Sequence, residues 1–296
     1  MKITRLGHAL FTSPDVPRLE AYYHDVLGFL TSARDGDGTV YMRNAVDHHT
    51  VVLEPGTEPG ISHTAYQVSA AQTLEEIASE LATHGIQAES RSDVQPGIQQ
   101  ELRFVNPDGY EIRLYQEVEL VGGGIPRHGI GPHKLGHIAL FVEDVSRTVE
   151  FYEAALGFRW SDWLEDWFVF LRSGRDHHLA NFLRSPTRRG LHHIAYELDD
   201  FDHVKRALDH LRRHDIPLIW GPGRHGMGHN VFTYHRDPDG NVVELFTELD
   251  VMAGEELGYF EPRPWHEDSP QRPKVWPKTP HAPNGWGIMP PDDFER

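Results

Sequence analysis

Three residues in the second half of the chain, His137, His193 and Glu244, are of the types that hold a divalent transition metal, and each starts or closes an apolar strand. Two neutral imidazoles and one carboxylate on a single face leave coordination positions open, the set suited to non-haem Fe(II) oxygen chemistry. The chain has no cysteine, so a thiolate site and a disulfide framework are both excluded, and a metal has to rest on imidazole and carboxylate. The 21 histidines among 296 residues form no tag-like run, which points to a fold that uses imidazole.

The elements that position these residues are legible as an internal repeat. Residues 5–30, with His8 and Gly28, lie over residues 134–159, with His137 and Gly157. Further on, 42–56 matches 171–185, 61–68 matches 191–198, and 105–115 matches 235–246, at an offset that drifts only from 129 to 131. Each repeat begins with an alternating strand carrying the first histidine. An amphipathic segment follows, with Val145, Val149, Tyr152 and Leu156 at helical spacing, ending at Gly157. Strands rich in Val, Phe, Leu and Tyr come next. A second strand–helix unit begins at His193, with its helix near 202–213, and a hairpin at Asp237-Pro238-Asp239-Gly240 leads into the strand of Glu244. The reading is α+β, two βαβββ units in each half.

The halves differ where chemistry is concerned. His8 and His63 match His137 and His193, but the alignment through Pro-Asp-Gly sets Arg113 opposite Glu244, and a cation there repels a metal. The first module, residues 1–120, is therefore read as a degenerate copy without metal, Glu111 being the remaining candidate for a displaced ligand. Residues 121–133, with Gly122-Gly123-Gly124 and Pro126, form the linker, and residues 134–250 the catalytic, metal-binding module. Residues 251–296 are a proline-rich tail whose Trp265, Trp276 and Trp286 imply that it wraps the body.

The pattern resembles the vicinal oxygen chelate (glyoxalase/bleomycin resistance) superfamily, and within it the type I extradiol dioxygenases, similar to catechol 2,3-dioxygenase and homoprotocatechuate 2,3-dioxygenase. The motifs that carry the resemblance are Leu191-His192-His193-Ile194-Ala195, Gly221-Pro222-Gly223-Arg224-His225-Gly226, and Tyr234 through Glu244. The resemblance covers residues 1–250 by architecture and is motif-specific from 134 to 250. It implies tandem βαβββ modules curled into two open barrels, and cleavage of a catechol beside its vicinal diol with both atoms of O2 entering the product. It further implies Fe(II), with Mn(II) as the alternative, on His137, His193 and Glu244. By position, His177 falls on the family's acid/base histidine, with His178 as the alternative. Tyr234 falls on a tyrosine that hydrogen-bonds a substrate oxygen, and His225 on a histidine that contacts the substrate's other side. A homo-oligomer, a tetramer by resemblance, is implied as well.

Bland readings stand beside these. The Asp-His-His triplet recurs at His48 and His49, so His177 and His178 are compatible with an inherited structural role. Trp160, Trp163 and Trp167 suit core packing as well as a pocket for an aromatic ring. Strand alternation sets His192 on the face opposite His193. A glyoxalase-type isomerase or epimerase and a non-enzymatic binding protein are the competing functions on this scaffold; a hydrolase lacks a Ser or Cys nucleophile motif. A formal charge of −17 argues against nucleic acid, leaving a small aromatic diol and O2 as partners. With no signal-like start and no long apolar run, a cytoplasmic protein with no membrane partner is expected.

Overall fold

The computed structural model describes residues 1–122, 128–264, 268–291 and 294; Gly123, Gly124, Pro126 and Trp265 lie outside them. The first half forms an eight-stranded sheet from β1 (Ile3–Ser13), β2 (Leu30–Arg34), β3 (Val40–Arg43), β4 (Val51–Pro55), β5 (Gly60–Val68), β6 (Glu89–Gln95), β7 (Ile98–Val105) and β8 (Glu111–Tyr115). The second half repeats it with β9 (Lys134–Val142), β10 (Arg159–Leu164), β11 (Phe168–Arg172), β12 (Ala180–Arg184), β13 (Gly190–Glu197), β14 (Leu218–Arg224), β15 (Val231–Arg236) and β16 (Val242–Thr247). The strand orders, β2-β3-β4-β1-β5-β8-β7-β6 and β10-β11-β12-β9-β13-β16-β15-β14, are the same order twice. Each sheet is mixed, with the parallel pairs β1–β4, β5–β8, β9–β12 and β13–β16 marking the crossover within each βαβββ unit.

The helices carry the caps that the sequence encodes. In α1 (Val16–Ala21), continued by a π-helical stretch over Tyr22–Leu27, the side chain of Asp15 accepts from the Arg18 N–H. Thr73 and Glu76 form a capping box on α2 (Leu74–Thr83). Asp144 caps α3 (Val145–Leu156), which ends at Gly157 with φ 71°, and Asp200 caps α4 (Phe201–Arg213). Residues from the π-helical stretch and from α3 bridge the halves: Tyr22 Oη lies 2.7 Å from His235 Nε2, and Thr148 Oγ1 donates to Asp108 at 2.8 Å. One continuous apolar core, from Ile3 to Leu245, is shared by both sheets. The tail lies on the second half, where β19 (Lys274–Trp276) adds to the edge of β10 in parallel; β17 (Met252–Gly254) and β18 (Tyr259–Phe260) make a small ribbon. Among the described residues, no helix is long and apolar enough to cross a membrane.

Candidate metal centre

His137, His193 and Glu244 stand on three adjacent central strands, β9, β13 and β16. Ala195 on β13 pairs with His137 on one side and with Glu244 on the other, so the two ligands flank a small residue. His193 lies two residues before Ala195 on the same strand. Gly136 is part of the device. A Cβ there would meet the Phe246 ring at 2.4 Å, so glycine admits an aromatic from β16 beside the first histidine. Gly7 admits Tyr115 in the first half in the same way, which explains the repeated Leu-Gly-His.

The ligand atoms converge. His137 Nε2 is 3.1 Å from His193 Nε2 and 3.0 Å from Glu244 Oε2, and His193 Nε2 is 3.2 Å from the same oxygen. All three residues are buried, and among the described residues they are the one group of three ligand-type side chains so gathered. Edges of this length match one face of an octahedron with metal–ligand bonds of about 2.1 Å. Burial holds the His193 imidazole below its ordinary range and so neutral. Burial opposes charge on Glu244, yet His137 and His193 hold its carboxyl well below the usual carboxylate range. Two imidazole nitrogens and a carboxylate oxygen converging on one buried point form a donor set that fits Fe(II) or Mn(II). His193 Nδ1 lies 2.6 Å from His192 Nδ1, and Glu244 Oε1 accepts from Asn230 Nδ2 at 2.9 Å; both contacts orient ligands.

The first half shows the same frame without the carboxylate. His8 pairs with Ala65 and Ala65 with Arg113, and His8 Nε2 is 3.2 Å from His63 Nε2. Arg113 bonds Glu111 at 2.9 Å and meets Glu101 at 3.2 Å; Arg103 takes the other oxygen of Glu111. Glu111 approaches His63 from its Nδ1 side, at 3.9 Å, away from the His8–His63 gap, so it does not serve as a displaced ligand.

A cavity of about 200 Å³ opens beside the triad. Leu164, Trp167, Phe168, Phe170 and Met227 form one wall, Trp220 and Phe294 another, and the polar groups His178, His192, His225, Asn181, Asn230 and Tyr234 reach into it. His225 Nε2 is 3.0 Å from Tyr234 Oη, and its Nδ1–H donates to the Pro283 carbonyl at 2.6 Å. Burial pushes His225 down to about 4, while burial and the neighbouring Glu244 push the Tyr234 phenol well up. A neutral His225 with its proton on Nδ1 therefore accepts from the Tyr234 hydroxyl.

The structure places the remaining residues singled out from the sequence as follows. Of the histidine pair, His178 lines the cavity, its ring 4.3 Å from that of His137, whereas His177 is wholly buried behind it. His192 shares the cavity with His193, because β13 bulges between Leu191 and His193 and alternation is broken there. Of the three tryptophans, Trp167 reaches the cavity, while Trp160 and Trp163 pack on the main core. Asn230 and the tail residues Pro283 and Phe294 carried no motif that sequence reasoning could have used.

The profile of the Glyoxalase/Bleomycin resistance protein/Dioxygenase superfamily matches residues 5–114 and 134–245. The chain is 27% identical over 304 residues to the manganese-dependent 2,3-dihydroxybiphenyl 1,2-dioxygenase of Geobacillus genomosp. 3, covering 93% of this chain and 94% of that protein. The 2,3-dioxygenase LapB from Pseudomonas sp. KL28 superposes with a TM-score of 0.82 at 26% identity, over 94% of this chain and 98% of its own. The Mn(II)-bound glyoxalase from Novosphingobium aromaticivorans superposes at 0.86 and 26% identity, over 100% and 94%.

Proposed function

The chain belongs to the Glyoxalase/Bleomycin resistance protein/Dioxygenase superfamily, and from that premise we propose that it is an extradiol ring-cleavage dioxygenase. It inserts both atoms of O2 into a catecholic aromatic next to the vicinal diol. Fe(II), with Mn(II) as the alternative, is its metal, and His137, His193 and Glu244 hold it. The observation that carries the reading is a facial two-histidine, one-carboxylate set opening into a cavity walled by aromatic side chains. A glyoxalase-type isomerase is less well served, because the first half offers Arg113 where a further ligand would stand.

The metal, when bound, supplies open positions and Lewis acidity for the diol oxygens and O2. The protein does the rest. Trp167, Phe168 and Phe170 hold the ring and exclude water. Tyr234, its hydroxyl aligned by His225, stands beside Glu244 to hydrogen-bond a substrate oxygen. We assign the acid/base role to His178, because its ring borders both the cavity and His137.

The cavity, about 200 Å³, is close to the roughly 150 Å³ that accommodates benzene. It suits a monocyclic catechol with a short substituent better than a biphenyl diol. Within this reading residues 1–120 scaffold, 121–133 link, 134–250 carry the reaction and 251–296 complete the pocket wall. A cytoplasmic homo-oligomer, tetrameric in its fullest form, belongs to the same proposal, and light scattering that gives a monomer would remove that part.

The test is anaerobic reconstitution with Fe(II), then a panel of substituted catechols in air, following the yellow ring-fission product and oxygen uptake. Product with matching oxygen consumption is expected, monocyclic diols turning over faster than 2,3-dihydroxybiphenyl. Stoichiometric metal without turnover of any diol would overturn the dioxygenase reading.

A further inference from the structure

Asp162, on β10, is a carboxylate with no solvent exposure. Its Oδ2 lies 3.0 Å from His177 Nε2, and its Oδ1 accepts the backbone N–H of Lys274 at 3.1 Å. His177 Nδ1 is in turn 2.8 Å from His178 Nδ1, with the two rings edge to face. A buried carboxylate is expensive unless it is paired, and here it heads a chain that ends at the cavity histidine.

We infer that Asp162 and His177 are positioning residues that fix the tautomer of His178, keeping its proton on Nδ1 and its Nε2 bare toward the cavity. The inference rests on the role assigned to His178 above. A carboxylate only accepts, so His177 Nε2 carries the proton between them. The 2.8 Å contact between the two Nδ1 atoms has room for one proton, and with the His177 proton committed to Asp162 through Nε2, the relay assigns that shared proton to His178. The one nitrogen of His178 left for a substrate hydroxyl is Nε2, unprotonated. It takes the hydroxyl proton; an Nε2 already protonated cannot. The same logic orients the histidine of a Ser-His-Asp triad.

The duplication supplies an internal control. The first half keeps the histidine pair, with His48 Nδ1 3.0 Å from His49 Nδ1 and the His49 ring 4.5 Å from that of His8. At the position of Asp162, however, which pairs with Phe170, the first half has Ala33, which pairs with Tyr41. The carboxylate that orients the pair is thus present where Glu244 completes the ligand set and missing where Arg113 replaces it. A histidine pair that only packed would need no aspartate, as the first half demonstrates.

Asp162→Asn separates this role from anchoring the tail. The amide oxygen still accepts from Lys274, but the amide nitrogen now donates to His177 Nε2, which moves the His177 proton to Nδ1 and the His178 proton to Nε2. The expected result is a fall in kcat of about 100-fold or more, within the range of general acid–base contributions, with catechol KM and bound Fe(II) changed less than about twofold. In parallel, 15N NMR of histidine-labelled protein loaded with diamagnetic Zn(II) should show His178 protonated at Nδ1 in the wild type and at Nε2 in the variant. The inference is overturned by a wild-type His178 protonated at Nε2, by an unaltered kcat in Asp162→Asn, or by a loss of kcat accompanied by equal losses of metal and substrate affinity. Should the variant not fold, the wild-type tautomer alone decides. That measurement needs no turnover, so a chain that cleaves no catechol would remove the proposed function while leaving this test standing.

Discussion

Arg113 stands in the first half where Glu244 stands in the second: each pairs across the sheet with an alanine, Ala65 or Ala195, which pairs in turn with the first histidine, His8 or His137. One chain thus contains the same frame with and without its carboxylate. His193→Ala should lower Fe(II) affinity by more than the roughly 10–100-fold typical of losing an outer partner, whereas His63→Ala should leave bound iron within about twofold of the wild type. Metal analysis after dialysis against a weak chelator reads both, and equal loss from the two variants would contradict a single centre.

How much of this was visible in the sequence depends on the kind of constraint. The repeat fixes strand order, and strand order brings His137, His193 and Glu244 together, because residues at equivalent points of duplicated strands share a face. Local irregularity was not visible. The bulge at His192 overrides period-two alternation, and choosing between His177 and His178 depends on which side chain the turn before β12 sends inward. Partners contributed across long separations, such as Asn230 for Glu244 or Pro283 for His225, depend on loop paths that no periodicity encodes.

Tyr234 offers a change that leaves packing intact. Its ring stacks on Trp220 at 5.5 Å and meets Phe294 at 5.0 Å, and its hydroxyl bonds His225. Burial and Glu244 push its pKa well up, so the phenol stays protonated at neutral pH, its one proton given to His225 Nε2 and its oxygen left to accept from a substrate hydroxyl. Tyr234→Phe keeps the ring and removes the hydroxyl. A hydrogen bond worth about 1–1.5 kcal/mol corresponds to a loss in kcat/KM of about 10-fold, with the denaturation midpoint little moved. Steady-state kinetics with a monocyclic catechol checks this, and an unchanged kcat/KM would place the substrate oxygens elsewhere.

Acid should weaken the fold through its buried histidines. Burial pushes His235, which meets Tyr22 between the halves, down to about 3. Its folded pKa lies below the unfolded value of about 6.5, so its contribution is fully present above that value and is lost as pH falls through the folded one. Between about pH 6.5 and 3 this one group should make stability fall by up to about 1.4 kcal/mol per pH unit. His235→Gln, which retains hydrogen-bonding capacity toward Tyr22, should flatten the pH dependence by that amount in urea titrations between pH 5 and 6.5. An identical slope in wild type and variant would mean that His235 does not stay neutral.

The last part of the tail reaches the pocket through two contacts with different consequences. The Pro283 carbonyl takes the Nδ1 proton of His225, which fixes the tautomer that accepts from Tyr234, and Phe294 closes the wall against Trp220, Tyr234 and His192. β19 lies upstream of both and is held by its own pairing to β10. A chain ending at Lys278 should therefore keep β19 and the Lys274–Asp162 bond while losing the wall and the carbonyl. Its bound iron should match the full-length chain, because His137, His193 and Glu244 all come from the central strands. Its kcat/KM for a monocyclic catechol should fall by about 10-fold or more, the cost of one oriented hydrogen bond plus an opened apolar wall, and discrimination against 2,3-dihydroxybiphenyl should relax as the cavity opens. Unchanged kinetics and unchanged substrate ranking would show that residues beyond Lys278 take no part in the site, and that the small cavity is set by Trp167, Phe168 and Phe170 alone.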